Sequence, residues 1–137
     1  MKSVFLDTNC IIALFSAKDA LHARAIERWE ELSAKGFRFV TMLSNLTEFL
    51  AYASDGGENV RRKATEFVDR IRSSPDIEVI DGDRQLFDEG LQLYRNRLDK
   101  TYSHVDCMAM VICQRMKISE VLTGDRDFQR EGLTILL

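Results

Sequence analysis

The sequence is poor in the residues from which disulfides, zinc sites and histidine-based active sites are built. Its three cysteines, Cys10, Cys107 and Cys113, are odd in number, lack C-x-x-C spacing and lie in apolar stretches, where free thiols behave as small hydrophobic groups. Only two histidines are present, His22 and His104. Disulfides, zinc sites and His-rich catalytic designs are therefore disfavoured, and an active site must depend on carboxylates.

Long apolar segments are also missing from the chain. No stretch is long enough to cross a membrane, and the N-terminus lacks the pattern of a signal peptide. No repeat, low-complexity tract or linker divides the 137 residues, a length that fits one domain with a substantial core. We therefore expect a single domain over residues 1–137, in the cytoplasm and without membrane contact.

Positive charge is not in excess, since the formal net charge is −3. Affinity for nucleic acid comes largely from Lys and Arg, so this balance counts against a nucleic-acid partner. Acidic side chains gathered in one cleft, however, bind divalent cations that reverse the local field. The arrangement of the acids therefore matters more than the net charge.

Apolar strand-like segments alternate with helical periodicity along the whole chain. Short apolar runs predict strands at residues 4–6, 37–41, 77–80, 121–123 and 134–137. Apolar residues at helical spacing predict helices around residues 21–32, 46–53, 60–71 and 87–98, and the segment 105–118 is apolar nearly all round, as in a buried helix. This order predicts an α/β fold with a central parallel sheet flanked by helices on both faces.

Four acids occupy the ends of these elements. Asp7 and Asp125 follow apolar strands, whereas Glu48 and Asp106 lie near the beginnings of helices. Each also has a plain structural interpretation: Asp7 as a helix N-cap, Asp106 in an S-x-x-D capping box with Ser103, Glu48 as a solvent-exposed residue opposite a Leu stripe, and Asp125 as a turn acid.

The positions of the acids favour a shared site over four separate structural roles. Parallel α/β folds gather strand ends and helix starts along one edge of the sheet, so four acids would share one cleft. Crowded carboxylates repel one another and raise one another's pKa unless a cation lies between them. Oxygen-only ligands favour Mg²⁺ or Mn²⁺.

The ordered motifs resemble those of the PIN domain, most closely the VapC-type toxin ribonucleases. They are D-T-N after the first strand, a helical Glu, Y-S-H-V-D-C before the apolar helix, and L-T-G-D-R-D-F near the C-terminus, and the resemblance covers essentially the whole chain. It implies a single PIN-like domain and a Mg²⁺- or Mn²⁺-dependent endoribonuclease. It also implies an RNA substrate, a cognate antitoxin and a homodimer.

The resemblance also assigns roles to residues. The acidic constellation of the family, which would act in catalysis and metal binding, falls on Asp7, Glu48, Asp106 and Asp125. Supporting polar positions fall on Asn9, Ser103, Thr123 and Asp127. Basic residues around the later motifs form a candidate rim for RNA phosphates: Arg95, Arg97, Lys100, Arg126 and Arg130.

Three other interpretations remain open. A phospho-receiver signalling domain is also a small α/β fold with carboxylates and Mg²⁺, and Asp81 would be its phosphoacceptor, but D-T-N and L-T-G-D replace its adjacent acids and late Lys. A haloacid-dehalogenase-like phosphatase needs a second acid two residues after Asp7, where this chain has Asn9. A non-catalytic binding module would not need four acids.

Overall fold

Strands and helices alternate along the chain. The structure, a computed structural model, describes residues 2–137, and in this range it contains five strands and seven helices. The strands are β1 (Ser3–Leu6), β2 (Arg38–Met42), β3 (Ile77–Ile80), β4 (Glu120–Leu122) and β5 (Thr134–Ile135). The helices are α1 (Thr8–Phe15), α2 (His22–Ala34), α3 (Leu43–Ala53), α4 (Gly57–Ser73), α5 (Arg84–Arg95), α6 (His104–Met116) and α7 (Asp127–Arg130). Met1, which the predicted domain includes, lies outside the described residues.

All strand pairs are parallel, in the order β3-β2-β1-β4-β5. Phe5 at the centre pairs with Val40 on one side and Val121 on the other. From β1 the chain adds β2 and β3 outward on one side, then returns to add β4 and β5 on the other. The carboxyl ends of β1 and β4 therefore flank the point where the strand order reverses, which is where open α/β sheets bind ligands.

Helices cover both faces of the sheet. Side chains alternate along β1, so Val4 and Leu6 pack on one face and Phe5 on the other. The face of Val4 and Leu6 packs against α1 to α4, and the face of Phe5 packs against α5, α6 and α7. The predicted α/β class, with a parallel sheet between two helical layers, is confirmed.

Helix α6 is the buried helix that its apolar sequence predicts. Residues 107–113 are all buried. Its neighbour α5 approaches closely at Gly90, where an added Cβ would lie only 2.6 Å from Met108 Cγ. At its C-terminal end Lys117 adopts φ 56°, a left-handed conformation that is usually taken by glycine. The contact with α5 holds α6, and hence Asp106 in its first turn.

Helix α5 forms as predicted, but its apolar stripe faces outward. Phe87, Leu91 and Tyr94 are exposed, and Leu98, beyond the helix end, is 77% exposed. The buried side is formed by Leu86 and Gly90, because the small glycine permits the close approach of α6.

Across residues 2–137, no helix combines the length and hydrophobicity needed to span a bilayer.

Candidate active site

Asp7 follows β1 directly and occupies the N-cap position of α1. Its side chain forms no capping hydrogen bond, so the helix-cap interpretation of this carboxylate is wrong. Instead Oδ2 accepts a hydrogen bond from the Thr123 hydroxyl at 2.9 Å, and Oδ1 lies 3.5 Å from the Asn45 amide nitrogen. Asp7 is only 5% exposed. The carboxylate is therefore held across the sheet edge, between the ends of β1 and β4.

Thr123, just beyond β4, is the centre of this connection. While its hydroxyl donates to Asp7, the hydroxyl oxygen accepts from Asn9 Nδ2 and from the backbone N–H of Asp125, each at 3.0 Å. Asn9 Oδ1 accepts in turn from the Gly124 backbone N–H at 3.3 Å. Asn9 and Thr123, both predicted as supporting residues, thus join the ends of the two central strands.

The turn after β4 brings a further acid into the site. Asp125 Oδ1 accepts from the backbone N–H of Asp127 at 2.9 Å, a side-chain turn that aspartate commonly forms. Carboxylate oxygens of Asp106, Asp125 and Asp127 all lie within 4.8 Å of one another. Asp127 also forms an ion pair with Arg130 and accepts from the Thr101 hydroxyl. Asp127 therefore belongs to the cluster rather than pointing away from it.

Asp106 forms the capping box that the sequence predicts. The Ser103 hydroxyl accepts from the Asp106 backbone N–H at 3.0 Å, and Asp106 Oδ2 accepts from the Ser103 backbone N–H at 2.9 Å. This reciprocal pair fixes the start of α6. It also fixes one oxygen of Asp106, so capping and membership of the acidic cluster are combined in one side chain.

Glu48 is not the solvent-exposed residue that its helical position suggested. It is half-buried, and its Oε1 accepts a hydrogen bond from the Thr8 hydroxyl at 2.5 Å. The Thr8 oxygen accepts from Asn45 Nδ2 at 2.9 Å. Sequence reasoning gave no role to Thr8, the central residue of D-T-N, and did not single out Asn45. The available signal was a polar Asn one turn before Glu48, on a helix that buries Leu46 and Phe49.

Two acids of the cluster, Asp7 and Asp106, have raised pKa values. Burial, above all, raises the pKa of Asp7 to about 7; the Thr123 hydrogen bond opposes this shift, while the charges of Asp106 and Glu48 add to it. Burial likewise raises the pKa of Asp106, opposed by the Ser103 hydrogen bonds and reinforced by Asp125 and Glu48.

A divalent cation fits this set of donors. Among residues 2–137, no Lys, Arg or His forms an ion pair with Asp7, Glu48, Asp106 or Asp125. These four acids thus have no internal counter-charge, whereas Asp127 is paired with Arg130. The donors are carboxylate oxygens of the kind that Mg²⁺ and Mn²⁺ prefer. The strand ends, the hydroxyls and the capping box hold these oxygens in place.

The basic residues of the predicted rim differ in how they are engaged. Arg97 donates to both carboxylate oxygens of Glu131, at 2.9 and 3.1 Å, and Tyr102 donates to the same carboxylate. Lys100 pairs with Asp99. Arg95 donates to Gln92 and forms no ion pair within the described range 2–137, and neither does the exposed Arg126, next to Asp125.

Solved structures of other proteins share the fold of this chain. Mycobacterium tuberculosis VapC20, described as a sarcin-ricin loop cleaving toxin, has a similar structure, with a TM-score of 0.84, 23% sequence identity and 96% of each chain covered. Rickettsia felis VapBC2, in a structure with a DNA fragment from its promoter, is similar with a TM-score of 0.71 and 15% identity, and the match covers 97% of this chain and 96% of that one. FitAcB from Neisseria gonorrhoeae is similar at TM-score 0.64 and 13% identity, covering 98% of this chain and 96% of its own. No curated protein sequence matches the chain significantly.

The sequence itself carries the decisive likeness. The model of the PIN domain family matches residues 4–132, from β1 to beyond α7, and so includes every acid of the cluster. The resemblance to the PIN domain inferred from the motifs is confirmed. Because the match spans nearly the whole chain, this protein belongs to the PIN-domain family.

Proposed function

We propose that the protein is a metal-dependent endoribonuclease that cleaves RNA phosphodiester bonds and acts as the toxin of a toxin-antitoxin pair. The observation that carries the proposal is the convergence of carboxylates at the β1/β4 edge, of which only Asp127 has a basic partner among residues 2–137, Arg130. Membership of the PIN family supports the reaction class. The fold likeness to VapC20, described as a sarcin-ricin loop cleaving toxin, supports the biological role.

Each acid has a defined part in this proposal. A bound Mg²⁺ or Mn²⁺ supplies an acidified water as nucleophile and stabilises negative charge on the phosphate and the leaving oxygen. Asp7 and Asp106 are the proposed direct ligands, and Asp125 and Glu48 bind directly or through water. Thr123 holds Asp7 by one oxygen, and the Ser103 backbone holds Asp106 by one oxygen, so both carboxylates are oriented before substrate arrives.

RNA must approach an acidic edge in a protein of net charge −3. Arg126, exposed beside Asp125, and Arg95 are the predicted contacts whose charge is available, because neither has a carboxylate partner among residues 2–137. Arg97 and Lys100 remain predicted contacts, but Arg97 is already paired with Glu131 and Lys100 with Asp99. Contacts of this kind position the backbone and do not read sequence.

The experiment is a cleavage assay on single-stranded and looped RNA. A sarcin-ricin-loop oligonucleotide is the first looped substrate to test, because the fold of VapC20 is similar. We expect cleavage with Mg²⁺ or Mn²⁺, loss of cleavage with EDTA, and 5′-phosphate and 3′-hydroxyl ends. Asp7→Asn and Asp106→Asn should abolish cleavage. Asp81→Asn, an exposed acid outside the cluster, is the matched control and should retain it.

Two outcomes would refute the proposal: cleavage that survives EDTA, and Asp7 and Asp106 variants as active as the parent. Thermal melts of each variant show whether a loss of cleavage reflects unfolding. The cytoplasm, where cellular RNA would be met, is the proposed location.

The phospho-receiver interpretation finds no support in the sheet order. Its only phosphoacceptor, Asp81, follows β3, which is an edge strand here. Doubly wound receivers instead place their switch point between two central strands. Asp81 therefore lies away from the acids at the ends of β1 and β4. Incubation with acetyl phosphate and Mg²⁺ should leave the protein unmodified, as judged by intact mass.

An antitoxin partner is part of the proposal. An apolar groove of about 370 Å³ lies among α1, α2, α4 and the sheet, and its lining includes Leu14, Ile26, Trp29, Phe67 and Arg70. We propose that an apolar antitoxin segment binds there. Co-expression with a small protein encoded beside the gene, followed by pull-down, should recover a complex, and Ile26→Glu should weaken it.

A homodimer remains a proposal. Two aromatic residues on the early helices are candidates for a dimer face: Trp29, which stacks on Phe39 at 3.7 Å between ring centroids, and Tyr52, which is 47% exposed. The exposed apolar side of α5 is a second available surface. Light scattering at micromolar concentration should give a dimer mass, and Tyr52→Glu or Leu91→Glu should convert it to a monomer according to which face is used.

A further inference from the structure

Asn45 is a polar side chain in an apolar position. It lies in the first turn of α3, three residues before Glu48, and is 0% exposed. Its helix neighbours Leu46 and Phe49 are core residues. A buried primary amide is unfavourable unless its polar atoms are satisfied, so an apolar side chain would be the simpler choice for packing.

The amide of Asn45 is only half satisfied. Its Nδ2 donates to the Thr8 hydroxyl oxygen at 2.9 Å and lies 3.5 Å from Asp7 Oδ1. Its Oδ1 is fully buried and has no hydrogen-bond partner in the described part of the chain. If the Asn45 amide were flipped, its carbonyl oxygen would face the Asp7 carboxylate, and two acceptors would then lie against each other. The fold therefore retains Asn45 for its donor, at the expense of an unpaired acceptor.

The donor sets the direction of a short hydrogen-bond chain. A threonine hydroxyl has one proton and rotates freely unless a neighbour orients it. Because the Thr8 oxygen accepts from Asn45, its proton is directed to Glu48 Oε1, at 2.5 Å. Hydrogen bonds in such a chain polarise one another. Asn45 thus acts on Glu48 through Thr8.

This chain is a polar constraint on the separation of Asp7 and Glu48, in addition to the apolar packing of α1 against α3. The two carboxylates repel each other, and neither forms an ion pair among residues 2–137. Asp7 belongs to the end of β1 and Glu48 to α3, so their spacing depends on contacts between these two elements. The Asn45–Thr8 pair is a polar link between α3 and the residue that follows Asp7.

We propose that Asn45 is a positioning residue that holds Asp7 and, through Thr8, Glu48 at the spacing needed to bind the divalent cation. The inference rests on the proposed metal-dependent function. It assigns no contact between Asn45 and RNA or the reacting atoms. Its effect should therefore appear in metal affinity and kcat, and not in the KM for RNA.

The test compares Asn45→Ala, Thr8→Val and the double variant with the parent. Thr41→Val is the matched control, because Thr41 is also fully buried and donates one hydrogen bond, to the Leu6 carbonyl, outside the acidic cluster. Mn²⁺ affinity is measured by calorimetry, kcat and KM by RNA cleavage, and folding by thermal melts. Partners that orient metal ligands typically change affinity by about 10- to 100-fold.

We expect Asn45→Ala and Thr8→Val each to weaken Mn²⁺ binding about tenfold and to lower kcat, with KM for RNA unchanged. The double variant should be no worse than the single variants, since both interrupt one chain. Thr41→Val should melt lower yet bind Mn²⁺ as the parent does.

Parental Mn²⁺ affinity in Asn45→Ala, or additive losses in the double variant, would overturn the inference and leave the proposed function intact. If Asn45→Ala fails to fold, Thr8→Val alone decides: parental affinity there overturns the inference. A parent that neither binds Mn²⁺ nor cleaves RNA would overturn the proposed function, and the inference with it.

Discussion

Replacing Asp7 by Asn should stabilise the metal-free protein at neutral and alkaline pH. Burial raises the pKa of Asp7 from 3.8 to about 7 in the folded state. Between these values the folded protein binds a proton that the unfolded chain has released, so the free energy of unfolding falls as pH rises. Above pH 7 the accumulated loss is roughly 4 kcal/mol, at about 1.36 kcal/mol per pKa unit.

The substitution removes this loss but introduces a smaller one. Thr123 already donates to Asp7 and accepts twice, so the new amide oxygen would take the Thr123 proton and the new amide nitrogen would face Asn45. One poorly satisfied buried donor costs about 1–2 kcal/mol. We therefore expect a net gain of about 2–3 kcal/mol at pH 8, which raises Tm by roughly 7–10 °C in a chain of this size. Near pH 4 the gain should vanish or reverse.

The assay is a series of thermal melts in EDTA from pH 4 to 8, with Asp81→Asn as the control for loss of an exposed acid. Mn²⁺ at about 1,000 times its Kd should reverse the ranking at pH 8, because it stabilises the parent by about 4.1 kcal/mol, more than the gain from the substitution, and the variant has lost a ligand. A variant that melts below the parent at pH 8 in EDTA, or a difference that does not change with pH, would refute the reasoning.

Three further substitutions test the surrounding structure. Thr123→Val removes the hydrogen bonds to Asp7, Asn9 and the Asp125 backbone, and we expect calorimetry to show Mn²⁺ affinity lowered about tenfold; unchanged affinity would contradict its role. Gly90→Ala should lower the free energy of unfolding in urea by about 1–2 kcal/mol, because overpacking against Met108 outweighs the gain in helix propensity. A more stable variant would show that α6 shifts to accommodate the added methyl group. Lys117→Gly should stabilise by about 1 kcal/mol in the same assay by relieving the left-handed residue at the end of α6, and no gain would mean that this conformation is unstrained.

Local sequence patterns predicted most of the elements. The apolar runs located all five strands to within two residues, although β2 begins at Arg38 rather than at Phe37 and β5 ends at Ile135. The Ser103–Asp106 capping box was also predicted, because both partners lie within one turn of chain. Periodicity and capping are short-range properties, so the residues that specify them are neighbours in sequence.

The sequence alone also located Asp7 and Asp125 after strands and Asp106 at a helix start, since these positions follow from the same local patterns. Glu48, predicted near a helix start, lies instead in the middle of α3, because this helix begins at Leu43.

What the sequence could not determine was where each side chain points. Asp7 lies at a helix start, but its carboxylate bonds Thr123, 116 residues away, and not its own helix. Glu48 looked exposed until α3 was placed beside α1, where Thr8 reaches it.

Tertiary structure decided these features because they depend on the strand order β3-β2-β1-β4-β5. The order places β4 beside β1, and so brings Thr123 and Asp125 to Asp7. It also determines that Arg97 meets Glu131, 34 residues away, and that α5 buries Gly90 rather than its apolar stripe. No local pattern encodes which distant elements will be adjacent, because adjacency is chosen by the packing of the whole chain.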